Sequence, residues 1–279
     1  MSRIKNILAN YKIRFKKTLG QNFLKDSQAL QEIAHSAALT SDDYVFEIGA
    51  GIGNLSVLLA EKVKKLYLLE KDRAFEPILR KNCRAFKNTE IIFTDILRFK
   101  LKDIYEGKKL KVIGNLPFYI TSPILKHLLE QRQYIDSIII TVQQEVGKRI
   151  IALPGSKDYG RLTCLLQFYT KPVLIETFPK YFFFPRPEVN AALLKLKMLD
   201  APSVKVRSDK VFFDVVRAIF SHRRKTLLNS FLAAGGMGLK KDQLVGILDK
   251  LNISHLIRGE QLSLAEIGRL ADEILNSSA

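Results

Sequence analysis

Between Tyr44 and about Lys197, short apolar runs alternate with stretches whose apolar residues recur every three or four positions. The runs read as strands buried on both faces, the stretches as amphipathic helices. Candidate strands are Tyr44 to Ile48, Lys65 to Leu69, Glu90 to Thr94, Lys111 to Gly114, Asp136 to Gln143, Val173 to Phe178 and Ala191 to Lys197. Leu55, Leu58, Leu59 and Val63 share one helical face, as do Ile124, Leu125, Leu128 and Leu129 behind Pro123, which suits crossover helices. A further helix, Gln28 to Ala38, precedes the first strand. The rhythm predicts an α/β domain with a mostly parallel sheet covered on both faces.

From about Ala201 the strand signal stops. Phe212, Val215, Val216, Ile219 and Phe220 recur at helical spacing until Gly235 and Gly236 break the pattern. Ser263 and Glu266 form a capping-box pair, with Leu262 and Ile267 placed as its hydrophobic staple. Residues 1–200 are therefore expected to form one domain with a basic N-terminal arm, and 201–279 a small all-helical domain.

The 279 residues carry a formal charge of +17, which a protein handling only a small substrate has no use for; a polyanion is the expected partner. Cys83 and Cys164 lie far apart, so neither a disulfide framework nor a CxxC site is available, and a reducing, cytoplasmic setting is expected. Apolar runs such as Ser137 to Val142 are strand-length, so no membrane span is expected. Residues 1 to 17 are basic and free of acid; lacking serine richness, they read as an RNA-facing arm rather than an organelle-targeting segment.

Glu47 to Gly53 (EIGAGIG) close the first strand and open a helix, with Gly49, Gly51 and Gly53 letting the backbone approach a ligand closely. A dinucleotide fingerprint wants its third glycine one place later, where Asn54 stands, and a Walker A loop wants a lysine and a hydroxyl residue that do not follow. Glu70, at the end of the second strand, is placed to accept hydrogen bonds from ribose hydroxyls, and Asp95, ending the third, from an adenine amine. With no phosphate cradle, S-adenosylmethionine fits this adenosine site better than a nucleotide does.

Asn115, Leu116, Pro117 and Phe118 follow the fourth strand. An amide oxygen on Asn115 and the Leu116 carbonyl can each take one hydrogen of an adenine N6 amine, drawing that nitrogen toward tetrahedral geometry and aiming its lone pair. Phe118 would stack on the base, worth about 1–3 kcal/mol, while Pro117 stiffens the turn. His35, His127, His222 and His255 are scattered, no GxSxG elbow exists, and no spacing suits zinc, so no metal is expected.

These residues resemble the ribosomal RNA adenine N6,N6-dimethyltransferase family, the small-subunit dimethyladenosine transferases. The likeness is carried by Lys17 to Asp26 (KTLGQNFLKD), Glu47 to Gly53, Glu70, Asp95, Gly114 to Ile120 (GNLPFYI), Pro185 to Val189 (PRPEV) and Ser221 to Ser230 (SHRRKTLLNS). It implies a seven-stranded, Rossmann-like class I methyltransferase sheet with the small helical domain attached. It also implies that Asn22 and Leu24 join Gly49, Gly51, Glu70, Asp95 and Asn115 around S-adenosylmethionine. The implied substrate is a pair of adjacent adenosines in a hairpin loop near the 3′ end of small-subunit (16S) rRNA, each methylated twice on an assembling 30S-type particle by a monomeric enzyme. Phe118 departs from the tyrosine usual in bacterial members, Ala191 from a common serine, and His222 from a frequent glutamine or asparagine.

Arg217, Arg223, Arg224 and Lys225 in the second domain, with Lys12, Arg14, Lys16 and Lys17 in the arm, are expected to grip phosphates. Phe182, Phe183 and Phe184 are candidates for a second stacking wall. Two rivals remain: a resistance-type methyltransferase acting on an adenine of large-subunit RNA, and a noncatalytic RNA-binding assembly factor. SHRRKTLLNS speaks against the first; intact Gly49, Glu70, Asp95 and Asn115 speak against the second.

Overall fold

A computed structural model describes residues 3–13 and 20–277; Arg14, Lys16 and Lys17 lie outside the described residues. The chain divides into two compact units, residues 1–147 with 172–198, and 148–171 with 199–279.

In the first unit all seven expected strands form and make one sheet. In chain order the strands are β1 (Phe23–Leu24), β2 (Tyr44–Ile48), β3 (Lys65–Glu70), β4 (Thr89–Phe93), β5 (Leu110–Asn115), β6 (Ile135–Gln143), β7 (Thr170–Phe178), β8 (Phe183–Phe184) and β9 (Ala191–Met198). The sheet order is β4-β3-β2-β5-β6-β9-β7. β2 pairs in parallel with both β3 and β5, β3 with β4 and β5 with β6, while β9 runs antiparallel to β6. Every residue of β2 is buried, Glu47 included, as expected of a strand covered on both faces whose other residues are apolar or aromatic.

The chain leaves β2 toward β3 on one side and reaches β5 on the other, so the strand order reverses beside β2 and opens a crevice at the carboxyl ends. Helices α1 (Arg3–Asn10), α2 (Ser27–Ser36), α3 (Asn54–Ala60), α4 (Glu76–Cys83) and α5 (Thr121–Glu130) belong to this unit. Asp26 caps α2 by accepting the Ala29 amide at 3.0 Å. The two-residue strands β1 and β8 pair antiparallel, Phe23 with Phe184 and Leu24 with Phe183. Phe182 to Phe184 thus anchor the segment before α2: Phe183 is buried, and none of the three lines the crevice. The second stacking wall expected of them is not there.

After α6 (Gln144–Ile150), the second unit holds α7 (Arg161–Tyr169), α8 (Asp209–Ile219), α9 (Leu227–Ala233), α10 (Lys241–Lys250) and α11 (Leu264–Ser277). A single cut at residue 200 is thus not how the chain divides: the Phe168 ring of α7 stacks on Phe212 of α8 at 4.4 Å, and Tyr159 and Cys164 are buried in the same helical core. The Ser263–Glu266 box forms as expected, with Ser263 N donating to Glu266 Oε2 at 2.8 Å and Glu266 N to Ser263 Oγ at 3.2 Å. Leu262 and Ile267 are both buried.

Candidate active site

Four strand ends and the segment before α2 build one cavity in the first unit. Its lining includes Gly20 to Leu24, Glu47 to Ile52, Glu70, Lys71, Asp95, Ile96, Asn115 to Pro117 and Tyr119. Gly49, Gly51 and Gly53 all adopt positive φ (75°, 56° and 83°), which L side chains resist. At Gly51 space is also closed, because a Cβ would lie 2.8 Å from Cε1 of Phe23. The glycine turn is tied to β3: Gly49 N donates to Leu69 O at 2.8 Å, and Gly51 N to Glu70 Oε2 at 2.8 Å.

Glu70 is held at both oxygens, since Oε1 accepts the Asp72 amide at 2.7 Å. Burial raises its pKa, against the lowering pull of those backbone donors. Asp72 in turn accepts from Gln21 Nε2 at 3.0 Å, fastening the segment before α2 to the end of β3. Asp95 caps the turn after β4 by accepting Leu97 N at 3.0 Å, and pairs with Lys71 Nζ at 2.8 Å. The Lys71 hydrogen bond leads in holding its carboxyl below the ordinary range. Glu47, in the middle of β2's apolar run, is 2% exposed, and burial pushes its carboxyl up to about 7.

Three carboxyl groups therefore line the cavity against one cation, Lys71, among the described residues. Such a lining repels the phosphates of a dinucleotide and attracts a positively charged sulfonium.

Asn115 sits at the end of β5, where Gly114 packs so closely on β2 that a Cβ would fall 2.8 Å from Ile48 O. Its Nδ2 donates to the Asn22 carbonyl at 2.6 Å. A carbonyl can accept only from the amide nitrogen, so this bond fixes which way the side chain faces. Its Oδ1 is buried and has no partner among the described residues, an arrangement folded proteins rarely leave without a use. Leu116 N donates to Thr141 O at 3.1 Å, tying the following peptide to β6.

The expected residues Asn22, Leu24, Gly49, Gly51, Glu70, Asp95, Asn115 and Leu116 all line this cavity. Phe118 does not: its ring is half-buried on the sheet-side core cluster, and the exposed Tyr119 lines the cavity instead. Sequence reasoning missed Tyr119, Lys71 and Glu47. Each had a local signal: a second aromatic after the proline, a cation directly behind the strand-end acid, and one acid inside an otherwise apolar strand.

The basic residues of the helical unit separate by environment. Arg217, in the last turn of α8, pairs with Asp214, which also takes Lys210 at 2.9 Å. Arg223 to Lys225 lie in the connection between α8 and α9, which interrupts what reads as one helical pattern; Thr226 caps the new helix. Arg223 Nη2 donates to the carbonyls of Lys157 and, at 3.2 Å, Tyr159, and approaches Glu260 at 3.5 Å. It is a structural tie. Arg224 and Lys225 are exposed and have no side-chain partner among the described residues.

A family model described as ribosomal RNA adenine dimethylase matches residues 12–269. The chain belongs to this family. As a ribosomal RNA adenine dimethylase it is an S-adenosylmethionine-dependent methyltransferase. It is 41% identical over 277 residues to a ribosomal RNA small subunit methyltransferase A of Alkaliphilus metalliredigens, covering 98% of this chain and 96% of that one. It is 40% identical over 279 residues to the protein of the same description from Geobacillus thermodenitrificans, covering 98% and 95%. The dimethylase also shares its fold with a dimethyladenosine transferase from Plasmodium falciparum (TM-score 0.78, 24% identity, 92% of this chain and 98% of that one). The 23S rRNA methyltransferase ErmE is similar in fold as well (TM-score 0.70, 22% identity, 90% and 98%).

Proposed function

We propose that the chain transfers methyl groups to N6 of two adjacent adenosines in a hairpin loop near the 3′ end of 16S-type rRNA, giving N6,N6-dimethyladenosines. It would do so as a monomer on an assembling 30S-type particle in the cytoplasm. The small-subunit descriptions of relatives at 40–41% identity favour this over a large-subunit target. Among the described residues no helix is long and apolar enough to cross a membrane.

One observation carries the reading: an amide whose nitrogen is held by Asn22 O at 2.6 Å and whose buried oxygen lacks a donor. A buried acceptor left unpaired costs about 1–3 kcal/mol, and an amine entering the cavity would satisfy it. Asn115 Oδ1 and the Leu116 carbonyl would take the two N6 hydrogens, withdrawing the lone pair from the ring and directing it out of plane. When bound, S-adenosylmethionine supplies an electrophilic methyl group on a positively charged sulfur. Glu70 would receive its ribose hydroxyls and Asp95 its adenine amine, with Asn22, Leu24, Gly49 and Gly51 closing around it. The residues need provide no strong base, because a methylated anilinium-like nitrogen is acidic enough to lose its proton to water.

Stacking falls to the Phe118–Tyr119 step, a half-buried ring followed by an exposed one. Phosphate contacts fall to Arg224 and Lys225, with Arg217 beside its carboxylate partner and with Lys16 and Lys17 of the arm added on charge alone.

The test is incubation with labelled S-adenosylmethionine and small-subunit particles lacking the modification, followed by mapping of the labelled nucleotides. Label on two adjacent adenosines near the 3′ end is expected; label on large-subunit RNA would replace this reading with the resistance-type one. Asn115→Ala should reduce methyl transfer by at least about a hundredfold, leaving cofactor affinity within about tenfold. Full activity in that variant removes Asn115 from the mechanism.

A further inference from the structure

Lys71 directly follows Glu70 at the end of β3, and Asp95 lies two residues past the end of β4. The two strands are paired in parallel with Glu70 opposite Phe93, so their ends are level and the next residues emerge side by side. Lys71 Nζ meets Asp95 Oδ2 at 2.8 Å, while Asp95 Oδ1 accepts the Leu97 amide at 3.0 Å. One carboxylate oxygen is thus fixed by its own turn and the other by the lysine. With the lysine removed the carboxylate would be held at one oxygen only, and the Cβ–Cγ torsion of aspartate is broad and easily turned.

Stability does not account for the pair. Lys71 is 49% exposed, and exposed ion pairs contribute little to folding. Yet it is the cation that a cavity lined by Glu47, Glu70 and Asp95 holds among its described residues.

We propose that Lys71 is a positioning residue of the adenosine end of the cofactor site: its ammonium fixes the Asp95 carboxylate as an oriented acceptor for the exocyclic amine, and so sets the preference for adenosyl over inosyl ligands. The inference rests on the assignment of Asp95 to that amine. Inosine carries a carbonyl oxygen where adenosine carries the amine, and a fixed carboxylate oxygen opposes it lone pair to lone pair. A carboxylate free to turn escapes that opposition, so losing Lys71 narrows the preference.

The experiment is calorimetric titration of the full chain with S-adenosylhomocysteine and with S-inosylhomocysteine, for the unaltered protein, Lys71→Met, Lys71→Arg and Asp95→Ala. The unaltered protein should favour the adenosyl ligand by at least about tenfold. Lys71→Met should cut that ratio by about threefold or more, and Lys71→Arg, which restores a cation, should recover most of it. Asp95→Ala should abolish it.

If Asp95→Ala keeps the full preference, the assignment of Asp95 itself fails. If Asp95→Ala loses the preference but Lys71→Met keeps it, the Lys71 proposal alone is overturned. A preference widened in Lys71→Met would overturn it as well, by showing that the ammonium reads the inosine carbonyl directly. Narrowing that Lys71→Arg fails to recover would do the same, by marking a general disturbance of the site.

Discussion

Arg223 and Arg224 are neighbours of like charge in one connection, yet their surroundings predict opposite behaviour on truncation to alanine. The Arg223 guanidinium donates to two backbone carbonyls, those of Lys157 and Tyr159, and faces Glu260 at 3.5 Å. The same stretch is held a second time, by Gly155 N donating to Glu260 O at 2.7 Å. Hydrogen bonds from a charged donor contribute about 1.5–3 kcal/mol when well buried, and an exposed ion pair about 0.2–1 kcal/mol. Because the Arg223 side chain is 47% exposed, water replaces part of what is lost, so Arg223→Ala is expected to destabilise the protein by about 1–3 kcal/mol. Arg224→Ala should leave stability within about 0.5 kcal/mol, weaken RNA binding, and reduce the slope of log affinity against log salt by about one. Urea unfolding gives the first quantity, and filter binding to small-subunit RNA across a salt series the second. An unchanged unfolding midpoint in Arg223→Ala, with a salt slope reduced as in Arg224→Ala, would refute the structural assignment and return Arg223 to the phosphate-binding set.

Two further outcomes follow from burial and close packing. Glu47 ionises near 4.5 when solvated and at about 7 in the fold, so the unfolded chain releases a proton that the native one keeps, and stability falls as pH rises from 4.5 to 7. In the cofactor-free protein Glu47→Gln should therefore add on the order of 3 kcal/mol at pH 8 and almost nothing at pH 4; unfolding curves that stay parallel to the parent's at every pH would exclude this. Gly114→Ala places a methyl 2.8 Å from Ile48 O and 3.2 Å from its Cβ, which should cost about 1–3 kcal/mol by forcing β5 from β2; thermal unfolding with no downward shift would contradict the close approach.

What the sequence reveals depends on whether a feature has a period. The seven sheet strands are legible because each is a run of apolar residues long enough to be distinguished from a helix face. β1 and β8 are two residues each, too short for any period, so the pairing that carries Phe23 and Leu24 to the cavity leaves no trace in the pattern. Residues 148–171 lie between strand signals and look like part of a crossover. Only their partners, Phe212 against Phe168 above all, put them with the helical unit. The charge of Arg223 is legible, but its partners are backbone carbonyls, which every residue has and no composition marks. Phe118 and Tyr119 show the same limit: adjacency to Pro117 identifies two aromatic rings and does not tell which one faces the cavity.

The candidate site was legible as separate motifs, and the contact between two of them is what the structure adds. GQNFL and NLPF are 93 positions apart at Asn22 and Asn115, and one hydrogen bond joins them. That bond needs a donor on Asn115, while an adenine amine, under the proposed function, would need an acceptor on the same side chain, and a primary amide carries both on one rigid plane. Aspartate would set a carboxylate oxygen against the Asn22 carbonyl; serine is too short to serve both ends. Under the proposed function, the residue type at 115 would answer two demands together: holding a segment that lines the cofactor cavity, and turning the nitrogen of an incoming base through the unpartnered Oδ1.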